Sequence, residues 1–243
     1  MKVGLYAVET SNGFDQDGLV ERIASIVNGN NLDVFLALEW LFVPKDRLYK
    51  EPEKEDIVHR LAELTADSGA LVIPGTMLWE DRRYIYNTAH VISGGEVSEY
   101  HKFSDGGSIR MSRERGCQKR LRKQKRKKRF NWNSLDIGLE ICSEGGFLFR
   151  NLNQLPDMYL FTACGRELND YSLPIRKHGF AFGVNGNVPK ASAVAYTNPH
   201  DVLPQLKRRS MSYYVSSDDA HTLKLLIPQV DGNLFTYEIP NLG

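Results

Sequence analysis

Apolar and polar positions follow two different rhythms along this chain. Val3-Gly4-Leu5-Tyr6-Ala7-Val8 is a short apolar run closed by Glu9, and it predicts a first strand. The run is too short for the core of a signal peptide. Leu19, Val20, Ile23, Ile26 and Val27 then recur at helical spacing. They predict a helix from Asp17 to Asn28, with Asp15 or Asp17 as its cap and Gly29 at its end. A strand over 33–38 follows, then an irregular connection over 40–51 that contains Pro44. Pro52 opens a second helix, at a position where its missing N–H costs nothing. Ile57, Val58, Leu61 and Leu64 form that helix's expected buried stripe, and Gly69 suits its end.

The middle of the chain changes to strand rhythm. Ala70 to Gly75 is a short apolar run, and Tyr84 to Ile92 is β-branched and aromatic. Gly94-Gly95 turns the chain back through 96–101, so 84–101 reads as a hairpin. Further strands are expected at 136–141, 157–162, 180–184, 191–196 and 223–227. A short helix is expected over 166–178, broken near Pro174, and Pro199-His200-Asp201 reads as a turn. No internal repeat or Pro/Gly/Ser-rich linker divides the chain, so residues 1–243 read as one domain. The pattern predicts an α/β fold, a mixed sheet covered by helices, most simply a layered sandwich.

Composition narrows the function classes. At 243 residues, with 42% hydrophobic and 25% charged residues, the chain suits one soluble domain. No apolar run approaches the roughly eighteen residues of a membrane span. Three cysteines, with no C-x-x-C pair, argue against a disulfide framework or structural zinc and suit a reducing, cytoplasmic compartment. The six histidines show no H-x-x-x-H spacing, so no metal is expected.

The net charge of +1 conceals an asymmetry. Residues 119–129 hold nine Lys and Arg and no acid, and the rest has 22 basic against 30 acidic residues. The chain reads as an acidic body with a basic insertion around 110–130. Three readings stay open for it. It is a solvated surface insertion, a contact for nucleic acid or an acidic partner through counterion release, or a frame that favours an anionic substrate. Phe130 and Trp132 flank it, either to stack on bases or to begin the next strand's core.

Three polar residues stand at the exits of predicted strands: Glu39, Lys102 and Cys142. A thiol with an ordinary pKa near 8.5 is a weak nucleophile at neutral pH. A neighbouring carboxylate takes its proton, and an ammonium holds the oxyanion formed on attack at a carbonyl or nitrile carbon. Glu140, two residues before Cys142, is an alternative base on the same strand. Cys117 and Cys164 read as bystanders.

The motifs around these residues resemble the nitrilase (carbon–nitrogen hydrolase) superfamily. Leu-Ala-Leu-Glu39-Trp, Glu-Tyr-His-Lys102-Phe and Gly-Leu-Glu-Ile-Cys142-Ser-Glu follow the family's order. The family usually has Pro where Leu38 stands, and Tyr-Asp where Ser143-Glu144 follow the cysteine. Ile73-Pro74-Gly75-Thr76, Tyr86-Asn87-Thr88-Ala89, Phe182-Gly183-Val184-Asn185 and the segment from Ser192 resemble its supporting elements. The resemblance implies a four-layer α-β-β-α sandwich, a homodimer and cofactor-free amidase-like chemistry on an amide, carbamoyl or nitrile substrate. It implies Cys142 as nucleophile, Glu39 as base and acid, and Lys102 as oxyanion stabiliser. Ser143 and Glu144 would serve the oxyanion or substrate, and Glu114 would be a second active-site acid or a solvated loop residue.

Overall fold

In the computed structural model, β1 (Lys2–Tyr6) forms where the first apolar run predicts it. The structure describes residues 1–8, 18–102, 106–114, 116–122, 129–144, 155–164, 175–176, 178–186, 192–197, 206–209, 212–215 and 224–240. Helix α1 (Leu19–Gly29) buries Leu19, Val20, Ile23, Ala24 and Val27, the three- and four-residue spacing of an amphipathic face. Gly18 occupies its cap position, and Asp15 and Asp17 lie outside the described residues. The helix end is closed by Asn30 rather than by Gly29: its backbone N–H and its Nδ2 both donate to the Ile26 carbonyl, at 3.2 and 2.9 Å.

β2 (Val34–Ala37) is buried throughout, and the irregular connection after it ends in β3 (Tyr49–Lys50). Helix α2 (Glu51–Thr65) begins with Pro52 in its first turn, and Glu53 accepts the Lys50 backbone N–H at 2.8 Å. Its buried face is Lys54, Val58, Leu61, Ala62 and Thr65. Leu64 does not join that face as expected, because Thr65, four residues after Leu61, takes the inward position and Leu64 is 42% exposed. A 3-10 turn over Ala66–Ser68 leads to Gly69 in the left-handed region.

The remaining elements are strands, with one helix between them. They are β4 (Leu71–Ile73), β5 (Thr76–Glu80), β6 (Tyr84–Ser93), β7 (Glu96–His101), α3 (Gly106–Glu114), β8 (Arg120–Leu121) and β9 (Arg129–Trp132). After them come β10 (Leu135–Ile141), β11 (Met158–Ala163), β12 (Phe180–Asn185) and β13 (Ser192–Thr197). The last are β14 (Leu206–Arg209), β15 (Ser212–Val215), β16 (Lys224–Leu225), β17 (Gln229–Asp231) and β18 (Leu234–Glu238). The expected helix over 166–178 and the turn at Pro199-His200-Asp201 fall mainly outside the described residues.

Among the described strands, the first sheet runs β17-β18-β1-β2-β4-β6-β5-β3, with β7 and β8 also paired to β6. The second runs β16-β13-β12-β11-β10-β9. Each has a parallel centre: β1, β2 and β4 in one, β10, β11 and β12 in the other. Parallel strands are covered on both faces, so they read as unbroken apolar runs rather than alternating ones. β2, β11 and β12 are accordingly buried at every position.

The two sheets share one core. Leu5, Leu36 and Ile73 of the first belong to the same buried cluster as Leu139, Leu160 and Phe182 of the second. Phe182 meets Tyr237 of β18 edge-on at 5.9 Å. The Thr162 hydroxyl of β11 donates to the Ala37 carbonyl at 2.8 Å, linking the end of one central strand to the other sheet. Helix α2 packs on β3, β5, β6 and β7 and against α1. Helices α1 and α2 and the two sheets are the parts of the expected arrangement that the described residues hold.

The basic run contributes edge strands to both sheets. β8 pairs parallel with β6, and β9 pairs antiparallel with β10. Residues 123–128 between them lie outside the described residues.

Gly75 fixes the path between β4 and β5. Its φ is +89°, and a Cβ there would meet the Leu38 carbonyl oxygen at 2.2 Å, one residue before Glu39. Gly75→Ala is expected to lower unfolding stability by about 2 kcal/mol or more, read as a lower urea midpoint at unchanged slope.

Candidate active site

Glu39 lies two residues past the end of β2, Lys102 follows β7 directly, and Cys142 follows β10 directly. Strand exits of this kind let a side chain leave the sheet while the backbone before it stays locked in the ladder. The loop carrying Glu39 is tied to β5. The Trp40 N–H donates to Thr76 Oγ1 at 2.9 Å, and the Phe42 N–H donates to the Thr76 carbonyl at 3.2 Å. Lys102 is held by its backbone N–H, which donates to the Asn87 carbonyl across the hairpin at 2.7 Å.

These exits converge. Lys102 Nζ lies 2.6 Å from Glu39 Oε1, with the two side chains 1% and 0% exposed. Asn87 Nδ2 donates to the same oxygen at 2.8 Å and lies 3.0 Å from Ser108 Oγ on α3. The other carboxylate oxygen, Oε2, accepts the Cys164 backbone N–H at 3.1 Å. The Cys142 thiol is within hydrogen-bonding reach of Glu39 and close enough to Lys102 to feel its charge. The thiol also lies 3.8 Å from the Cys164 carbonyl. Trp40 forms a further wall, its ring 6.0 Å from Lys102 Nζ.

The backbone is strained at two of these positions. Trp40 and Cys142 have φ of 63° and 47°, a region that non-glycine residues adopt at a cost of about 1–3 kcal/mol. At Cys142 the strain turns the chain from β10 into a 3-10 turn over Cys142–Glu144. That turn is anchored by Glu144, fully buried, which accepts the Tyr100 hydroxyl at 2.6 Å. Ser143 between them is exposed.

Burial pushes the Cys142 thiol up to about 12, the Glu39 charge adds to the rise, and the Lys102 charge opposes it. A thiol held this high is protonated at neutral pH. A thiolate at this position would need a proton acceptor, and the Glu39 carboxylate is near enough to be one. The arrangement can therefore lend a proton acceptor, a sulfur nucleophile and a fixed positive charge to one electrophilic carbon.

The other expected residues are placed differently. Glu114 is not brought to this cluster: its side chain is 63% exposed and pairs with Arg110 at 3.8 Å. The reason is helical periodicity, since Ser108 and Ser112 turn inward on α3 and Glu114 falls on another face. Glu140 is fully buried and accepts the Tyr159 hydroxyl at 2.8 Å, and the carboxylate whose charge reaches the thiol is Glu39. Cys117 sits apart, 3.2 Å from Glu80 Oε2. Asn87 and the Cys164 N–H are contacts that reading the sequence did not assign. Asn87 carried one usable signal, an asparagine inside a β-branched and aromatic strand, where that residue type is depleted.

No protein-family model and no curated protein sequence matches the chain. Solved structures do. A cysteine-to-alanine mutant of the Nesterenkonia AN1 amidase, described as from the nitrilase superfamily, matches with a TM-score of 0.62 at 13% identity, over 99% of this chain and 91% of that one. The chain has the nitrilase fold. A second form of the amidase from Nesterenkonia sp. AN1 carries the acetamide moiety of fluoroacetamide on its active-site cysteine, and it matches with a TM-score of 0.59 at 14% identity, over 80% and 81%. The carbon-nitrogen hydrolase from Helicobacter pylori G27 matches with a TM-score of 0.54 at 10% identity, over 80% and 81%. In this nitrilase fold the expected mixed sheet is two mixed sheets, and the buried Glu39–Lys102 pair lies near the half-buried Cys142.

The thiol's surroundings give a direct test. Iodoacetamide labelling of Cys142, followed by peptide mass analysis, should rise with pH and show no plateau below pH ~10. Glu39→Gln removes a charge that raises the thiol's pKa and leaves Lys102, so the labelling profile should move to lower pH. A profile unmoved by Glu39→Gln would mean that the carboxylate does not act on this sulfur.

Proposed function

We propose that the chain is a cofactor-free thiol hydrolase of a non-peptide carbon–nitrogen bond, in an amide, a carbamoyl compound or a nitrile. One observation carries this reading: a buried carboxylate from β2's exit lies between an ammonium from β7's exit and a thiol from β10's exit. The amidase and carbon-nitrogen hydrolase neighbours support it.

For an amide, the Cys142 sulfur attacks the carbonyl carbon while its proton passes to Glu39. Lys102 and the backbone N–H of Ser143 hold the oxyanion of the tetrahedral centre. The carbon–nitrogen bond then breaks as Glu39 returns the proton to the departing nitrogen, leaving a thioester on Cys142. Water, deprotonated by the same carboxylate, attacks the thioester, and the acid leaves with the thiol restored. The Lys102 contact and the Asn87 and Cys164 N–H contacts keep Glu39 aimed at the sulfur through both halves.

The free state of Cys117, Cys142 and Cys164 supports a reducing, cytoplasmic setting. A homodimer is the assembly expected of this reading.

Ammonia release from a panel of small amides and nitriles tests the proposal. Cys142→Ala should abolish turnover, a loss of at least ~10³-fold. Lys102→Met should lower kcat by about 10²–10³, and Glu39→Gln by about 10²–10⁴. Turnover that survives Cys142→Ala would refute the thiol mechanism.

A further inference from the structure

Away from the thiol cluster, positive charge gathers at the turn between β5 and β6 and on the strand β8 beside it. Arg82 and Arg83 are exposed on the turn, and Arg120 and Arg122 are exposed at β8. β8 lies parallel to β6 with Arg120 opposite Tyr84, so the four guanidinium groups share one end of the first sheet. Among the described residues, no carboxylate forms an ion pair with any of these four arginines.

The acids nearby are committed to internal work. Burial alone would raise the Glu80 carboxyl, but hydrogen bonds from Lys119, Lys50 and Cys117 outweigh it and hold it at about 2. Asp81 accepts the Arg83 and Tyr84 backbone N–H groups, each at 2.6 Å, and the Tyr86 hydroxyl at 2.7 Å. Asp81 thus builds the turn, and Glu80 is engaged by Lys50 and Lys119 rather than by the arginines. Beside the turn lies an open groove of ≈ 720 Å³, lined by Lys50, Arg82, Arg83 and Lys119 together with the acids Glu51, Glu80 and Asp81.

An aromatic ring completes the surface. The Arg122 guanidinium lies over the Tyr84 ring, 4.9 Å from its centroid, a cation–π contact. A guanidinium and an aromatic ring in contact both offer a π face on which another planar group can stack. Tyr84 lies three residues before Asn87 on β6, about 10 Å along the strand and on its opposite face. The surface is therefore separate from the thiol cluster.

We infer that this end of the first sheet is a binding surface for single-stranded nucleic acid, with the arginines on phosphates and the Tyr84–Arg122 pair against a base. Duplex nucleic acid fits less well, because its bases are not free to stack. An acidic peptide supplies the negative charge but no planar base.

Fluorescence anisotropy of a labelled oligouridylate, titrated with the full chain across a potassium chloride series, tests this. The fourfold variant Arg82→Gln, Arg83→Gln, Arg120→Gln, Arg122→Gln should bind at least ~10-fold more weakly at low salt. Its slope of log affinity against log salt should be shallower by about 3, at ~0.7 for each phosphate that is no longer neutralised. The matching fourfold Lys variant keeps the charge and should restore the slope, and thermal melting confirms that both variants are folded. Tyr84→Leu should lower affinity roughly fivefold or more with the slope unchanged. Absence of binding by the unmodified chain, or a folded fourfold Gln variant with unchanged affinity and slope, would overturn the inference. So would a polyglutamate peptide or a duplex held as tightly as the oligouridylate.

Discussion

A fully buried ion pair between Lys102 and Glu39, at 2.6 Å, is the constraint around which this structure is arranged. Removing two charges from water costs several kcal/mol per ion, and their attraction repays that only when the remaining donors and acceptors are also satisfied. Here the carboxylate is supplied with further partners from Asn87 and the Cys164 N–H. The pair comes from the first sheet and its Asn87 partner from β6, while the Cys164 N–H past β11 comes from the second, so the full set of contacts forms only when both sheets dock. It therefore ties the chemistry to the fold.

The hairpin that delivers Lys102 is braced on its other face. His101 Nδ1 meets Thr88 Oγ1 at 2.6 Å, and the Trp79 indole donates to the same hydroxyl at 2.9 Å. Lys54 of α2 reaches Glu99 at 2.7 Å, and Glu99 lies 3.4 Å from His101 Nε2. This network fixes the residue beside Lys102 on β7 and the residue beside Asn87 on β6. On the opposing sheet, the Tyr100–Glu144 bond joins β7 to the turn after Cys142. Strain at Cys142 and Trp40 persists because these contacts over-determine the local path.

How much of this was legible follows from how each residue is covered. β2 and β10 lie in the parallel centres and stand out as apolar runs, so the polar residues at their exits stand out in turn, while Lys102 stands at the end of a hairpin marked by Gly94-Gly95. That is why Glu39, Lys102 and Cys142 could be picked from a single chain. Helix α3 was not legible, because Gly106-Gly107-Ser108-Ile109-Arg110 has no apolar stripe and its inward residues are serines. Missing that helix also misplaces Glu114, whose outward position depends on helical phase. β5 is hidden because it starts directly after Pro74-Gly75 and looks like the tail of the preceding run. β18 is only five residues long with no regular alternation of buried and exposed positions, and its identity as a strand comes from pairing with β1 across the whole chain.

A double-mutant cycle on Glu39 and Lys102, measured by urea unfolding, tests the central claim most directly. Each of Glu39→Gln and Lys102→Met strands a buried charge and should cost about 3–5 kcal/mol. The double variant strands neither and should cost less than the sum by about 2 kcal/mol or more. Losses that add to within ~0.5 kcal/mol would show two residues that do not depend on one another, and would contradict the account.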